Sequence, residues 1–145
     1  VQVDYGGWDM HNDVAGSMAG KAPALDQALG ALIRDLDSSG LLNETLIVLA
    51  SEFGRSPAIN QNAGRDHHPA AFSYVLAGAG IKGGAVYGKS DEKGHGIDED
   101  PVGITDFNST ITVACGLDPN NEHFAPNGRP FKIGGGGDPI YDVLA

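Results

Sequence analysis

Leu25, Leu29, Leu32, Ile33 and Leu36 recur three and four residues apart between Pro23 and Ser39, a spacing that lines one face of a helix. Pro23 fits a first turn, where its missing N–H needs no partner, and Gly40 fits the position after the last. The pattern predicts a helix over 23–39. Helical spacing then gives way to residues 44–50 (ETLIVLA), a short and nearly continuous apolar run. Such a run reads as a strand buried on both faces, as in a parallel sheet covered by helices. Residues 72–77 (FSYVLA) read the same way, 85–87 (AVY) more weakly, and 1–3 (VQV) as the end of a further strand. Thr105 is placed to cap a helix reaching about Cys115, with Phe107, Ile111 and Ala114 on one face and Gly116 ending it. Residues 82–101 and 118–138 read as loops, with Gly134 to Gly137 a flexible one. Strand, helix, strand, loop, strand and helix predict an α/β fold: three α/β/α layers with a mostly parallel central sheet.

Composition narrows the classes. The chain has 145 residues, 41% hydrophobic and 19% charged, the balance of one globular domain. No run of eighteen apolar residues is present, so no transmembrane helix is expected, and no charged-then-apolar signal segment opens the chain. Nineteen acidic residues against nine basic give a formal charge of −10. That disfavours nucleic acid and anionic membranes, both of which require clustered Lys and Arg. The single cysteine, Cys115, excludes an internal disulfide and a cysteine-rich zinc cluster. Its apolar surroundings point to a buried, inert thiol.

The residues capable of chemistry collect after the expected strands, at 4–13, 51–55 and 64–69, where sites form in open α/β folds. In DYGGWDMHND, Asp9 and His11 are two apart, so an extended segment points both to one face. If the segment turns helical, Asp13 takes that place instead. Carboxylate with imidazole suits zinc, iron or manganese better than calcium; the alternative is a solvated acidic turn capping the next helix. In GRDHHP, adjacent histidines point apart, so at most one of His67 and His68 serves as a ligand. Arg65 offers a fork of donors suited to an oxyanion. Glu52 is a candidate ligand or proton acceptor and Arg55 a candidate phosphate or sulfate binder, unless the two form an ion pair at a strand end. His95 and His123 lie in polar loops and read as surface residues.

Together, GGWDMH (6–11), LDQALGALIRDL (25–36), SEFGRSP (51–57), GRDHHPAAFSYVLAGAGIKGGAVYG (64–88) and GRPF (128–131) resemble the DUF1501 family of bacterial proteins, a branch of the alkaline phosphatase and sulfatase superfamily. The resemblance implies an alkaline-phosphatase-like fold of which residues 1–145 form a carboxyl-terminal portion. It implies a divalent metal, zinc first and iron or manganese next, held by Asp9, His11 and His67, with Asp4 matching an acidic residue upstream of the ligand loop. Glu52-Phe53 stands where the superfamily places an Asp-His pair on a second ion; Glu52 keeps a carboxylate there and Phe53 does not ligate. Any nucleophile lies upstream of Val1. The implied activity is hydrolysis of a small anionic phosphate or sulfate ester, with Glu52, Arg55 and Arg65 as catalytic residues, in the bacterial periplasm or outside the cell. A homo-oligomer, or a missing amino-terminal half, would complete the protein. The alternative is a degenerate member that binds a carbohydrate or a partner protein without catalysis.

Overall fold

A computed structural model describes all residues, 1–145. It contains two α-helices, α1 (Val14–Ser38) and α2 (Ile104–Ala114), and eight short strands. The strands are β1 (Leu46–Leu49), β2 (Gly54–Arg55), β3 (His67–His68), β4 (Val75–Gly78), β5 (Lys89–Ser90), β6 (Ile97–Glu99), β7 (Glu122–Phe124) and β8 (Pro130–Lys132). They form four separate two-stranded antiparallel sheets: β1 with β4, β2 with β3, β5 with β6 and β7 with β8.

This corrects the expected architecture. There is no mostly parallel central sheet and no three-layer α/β/α, alkaline-phosphatase-like fold. The apolar runs at 44–50 and 72–77 do mark β1 and β4, yet the two pair antiparallel, with Leu46 opposite Gly78 and Leu49 opposite Val75. An apolar run reports how much surface a strand stands to bury, and nothing about the direction of its neighbour. Here the β2–β3 pair turns the chain back before β4, which sets that direction. Residues 1–3 and 85–87 are not strands. The two sheets inside the expected loops were hidden because their strands are short, polar and exposed.

Little is buried. Met10 and Phe107 are the buried hydrophobic side chains, and no residue of α1 is buried. The chain exposes 9763 Å², where a folded monomer of this mass exposes about 7,000 Å². Val48, Leu49 and Val75 on the β1–β4 pair are each more than a third exposed. No helix is long and apolar enough to cross a membrane.

The helices also differ from expectation in ways that matter for the site. α1 begins nine residues before Pro23, which lies inside it, and Asp13 caps it by accepting the Gly16 N–H at 3.2 Å. The first turns (VAGSMAGKA) are small residues without apolar periodicity, so the pattern did not report them. Lys21 on this turn donates to the Gly6 carbonyl at 2.7 Å and lies 4.4 Å from the Tyr5 ring centroid. It thereby fastens the opening segment to α1. Cys115 is the exposed residue after α2, not a buried thiol.

The buried face of α2 combines Phe107 with hydroxyls: Ser109, Thr110 and Thr112. Phe107 stacks on Tyr74 at 3.9 Å, joining α2 to the entry of β4. Ser109 Oγ donates to the Gly134 and Gly137 carbonyls, and Thr110 Oγ1 accepts the Ile140 N–H at 2.9 Å. Asp106 accepts the Asp138 N–H at 2.9 Å. The four-glycine run is therefore a packed strap, not a free loop. A Cβ at Gly137 would collide with the Thr105 backbone.

Thr110→Val keeps the shape but leaves the half-buried Ile140 N–H without its Thr110 partner. Urea unfolding is expected to show a loss of about 1–3 kcal/mol, and no change would mean that the strap does not hold α2.

Candidate metal centre

The centre is assembled by two backbone crossings. Residues 10–14 lie against residues 62–65: Asn12 bridges Ala63, the Arg65 N–H reaches the Met10 carbonyl at 3.0 Å and the Val14 N–H reaches the Ala63 carbonyl at 2.8 Å. Gly64 is buried at this crossing, and a Cβ there would overlap the His11 carbonyl. The β2–β3 pair supplies the second crossing by placing Arg55 opposite His67. Both then face Asp9.

Asp9, His11 and His67 converge. Asp9 Oδ1 lies 2.9 Å from His11 Nε2 and 2.8 Å from His67 Nε2, and the two nitrogens are 3.1 Å apart. His11 Nδ1 meets Asp66 Oδ1 at 3.1 Å. A carboxylate only accepts, so a neutral His11 bonded to Asp66 carries its proton on Nδ1 and offers the Nε2 lone pair to the cluster. His67 Nε2 has one proton at most, which reaches one neighbour. At least one side of the triangle therefore sets lone pair against lone pair, unless a further proton or a cation enters. A divalent cation would satisfy all three sides at once, and a carboxylate holding the far nitrogen of a ligand imidazole is the usual support in such sites.

Asp66 is positioned in turn. Asn60 Nδ2 donates to Asp66 Oδ1 at 3.0 Å and to the His11 carbonyl at 3.1 Å, while Asn60 Oδ1 accepts the Asn62 and Gly64 N–H groups. One amide thus orders both loops. The hydrogen bond from Asn60, then that from His11, holds the Asp66 carboxyl below the usual carboxylate range. His67 and then Arg55 hydrogen-bond Asp9 and depress its pKa to about 2. Asp9 is consequently ionised at any physiological pH, as a ligand must be.

Phe53 packs on the His67 ring at 4.3 Å and lies under the Arg55 guanidinium at 5.8 Å. The residue that cannot ligate supports one that can. Arg55 Nη2 contacts Asp9 Oδ1 at 2.6 Å. Arg65 is committed elsewhere, donating to the Ser56 and Pro57 carbonyls at 2.7 and 2.9 Å. Asp4 and Glu52 line the same open cleft, of about 930 Å³, together with Trp8 and both arginines. Neither carboxylate belongs to the three-residue cluster. Asp13 is the helix cap described above.

His68 turns away from the cluster and pairs through Nε2 with the His95 carbonyl at 2.8 Å. That carbonyl is presented by a turn in which Asp91 accepts the N–H groups of Lys93, His95 and Gly96. His123 is exposed on β7. Asn60 and Asp66 are the supporting residues that the sequence reading did not single out. Asp66 stands beside His67 in a loop already marked, whereas Asn60 carries no local signal, because its partners are backbone groups brought near by the fold.

Nitrogen NMR of the imidazoles tests the arrangement without any added ligand. His11 is expected as the Nδ1–H form in the native protein and as a mixture dominated by Nε2–H in Asp66→Ala. The same tautomer ratio in both proteins would remove Asp66 from this role.

No curated protein and no solved structure matches the chain. A family model described as "Protein of unknown function (DUF1501)" matches residues 1–144, and the chain belongs to that family.

Proposed function

We propose that this chain supplies the metal site of a hydrolase acting on a phosphate or sulfate ester, with chemistry of the alkaline phosphatase and sulfatase kind. The observation that carries the reading is the triangle of Asp9 Oδ1, His11 Nε2 and His67 Nε2, braced by Asp66 behind one imidazole and Phe53 behind the other. Its sides of 2.8–3.1 Å bring three donors close enough to share one ion. Two imidazoles and one carboxylate suit zinc, iron or manganese.

A divalent ion bound there supplies Lewis acidity toward an ester oxygen. Asp9, His11 and His67 hold it, and Asp66 and Asn60 fix the angle of His11. Arg55, beside the ligand face, is placed to take a non-bridging oxygen of the ester. Arg65, tied to two carbonyls, shapes the loop and is left out of this role. Glu52, on the cleft wall, is the carboxylate available to accept a proton from water.

A non-catalytic binding role is favoured by one observation. Phe53 stands where the superfamily resemblance would put the histidine of a second ion, and its ring is packed on His67.

Metal content of the purified protein, followed by turnover of aryl phosphate and aryl sulfate esters, tests the proposal. About one ion per chain is expected in the native protein, with loss of most of it in Asp9→Asn and His67→Ala, and ester turnover should follow metal content. A metal-loaded protein without turnover would count against the hydrolase, and absence of metal after incubation with manganese, iron or zinc would remove it and leave the non-catalytic binding role.

A further inference from the structure

Asp9 Oδ1 carries three partners: His11 Nε2, His67 Nε2 and Arg55 Nη2. A carboxylate has about four lone-pair directions shared by two oxygens, so one oxygen accommodates about two partners comfortably. All the Asp9 contacts lie on that one oxygen, and with the His11 proton on Nδ1 its two donors are Arg55 and His67. An ion seated on the two imidazoles and Oδ1 would take the place of the His67 proton and stand beside the guanidinium on the same oxygen, two cations on one carboxylate atom. Of the three partners, only Arg55 is not a candidate ligand.

We propose that Arg55 and a divalent cation compete for Asp9 Oδ1, so that metal loading releases the Arg55 guanidinium to bind an anionic group beside the ion. The inference rests on the metal-site reading and adds an order of events to it: cation first, anion second. Two further observations support the exchange. Arg55 is the arginine able to move, since its remaining polar contact is a long one, 3.4 Å from Nη1 to the Arg65 carbonyl, whereas Arg65 has two short ones. Phe53 keeps the guanidinium over its ring and so keeps it near the site after release.

The charge of the cleft changes sign in the same step. Its ionised lining residues are Asp4, Asp9 and Glu52 against Arg55 and Arg65, a formal −1 with neutral histidines. A divalent cation makes it +1. Without metal the Arg55 charge is neutralised by Asp9, and the remaining carboxylates repel an anion. With metal, a freed fork of donors lies next to a dication, the arrangement that holds a tetrahedral oxyanion.

Calorimetric titration of the full chain with manganese, and then with inorganic phosphate and with sulfate, tests the exchange. Native protein should bind neither anion without manganese and should bind at least one with it. Arg55→Gln should take up manganese about tenfold more tightly or better, and should lose about tenfold or more of the metal-dependent anion affinity. Arg55→Lys, which keeps the charge but not the fork, should fall between. NMR of the Arg55 guanidinium N–H groups, with diamagnetic zinc in place of manganese, supplies a readout independent of affinity: they should lose the Asp9 hydrogen bond on adding zinc and regain an acceptor on adding phosphate. Zinc uptake by native protein with unchanged Arg55 resonances, or anion binding equal in Arg55→Gln and native protein, would overturn the exchange while leaving the metal site standing. No manganese uptake by a folded native protein would overturn both, and anion binding without metal would contradict the proposed order.

Discussion

Backbone passes backbone where Gly64 lies against His11, and the meeting of the two loops that carry Asp9, His11 and His67 depends on that crossing. Any side chain at 64 would occupy the space of the His11 carbonyl. Only with the loops this close does the Arg65 N–H reach the Met10 carbonyl, and only then does Asn60 span from the His11 carbonyl to Asp66. The result is a cluster on exposed loops that is nonetheless ordered. It is held by hydrogen bonds between backbones and one bridging amide, not by a hydrophobic core, of which this chain has little.

That economy of burial explains what could be read from the sequence and what could not. Apolar periodicity located most of α1, the strands β1 and β4, and nearly all of α2, because those segments carry regular apolar side chains. It failed at the first turns of α1, which are small residues, and at β5 to β8, which are polar and exposed. The direction of β4 was not legible at all. Two apolar runs separated by a long polar segment are compatible with a parallel or an antiparallel pair, and the turn made by β2 and β3 lies in residues with no apolar pattern.

The site was more legible than the fold. Asp9, His11 and His67 come together from loops more than fifty residues apart in the chain, in the combination expected from their residue types. His68 diverges from its neighbour, as successive residues on a strand do. What chemistry-bearing letters could not reveal was prior commitment. Asp13 is spent on a helix cap and Arg65 on two carbonyls, and both contacts depend on where the chain folds. Phe53 shows the opposite case: a residue excluded as a ligand supports His67 and Arg55 through its ring face.

The proposed centre requires a single ion joining the two loops through Asp9, His11 and His67. X-ray absorption at the metal edge of manganese- or iron-loaded protein addresses that most directly. It should report an inner shell that includes two imidazoles, recognisable by scattering from their outer ring atoms, and it should lose one imidazole in His67→Ala. A shell of oxygens alone, or one unaltered by that substitution, would show that the ion binds elsewhere and that the convergence of the three side chains has another cause.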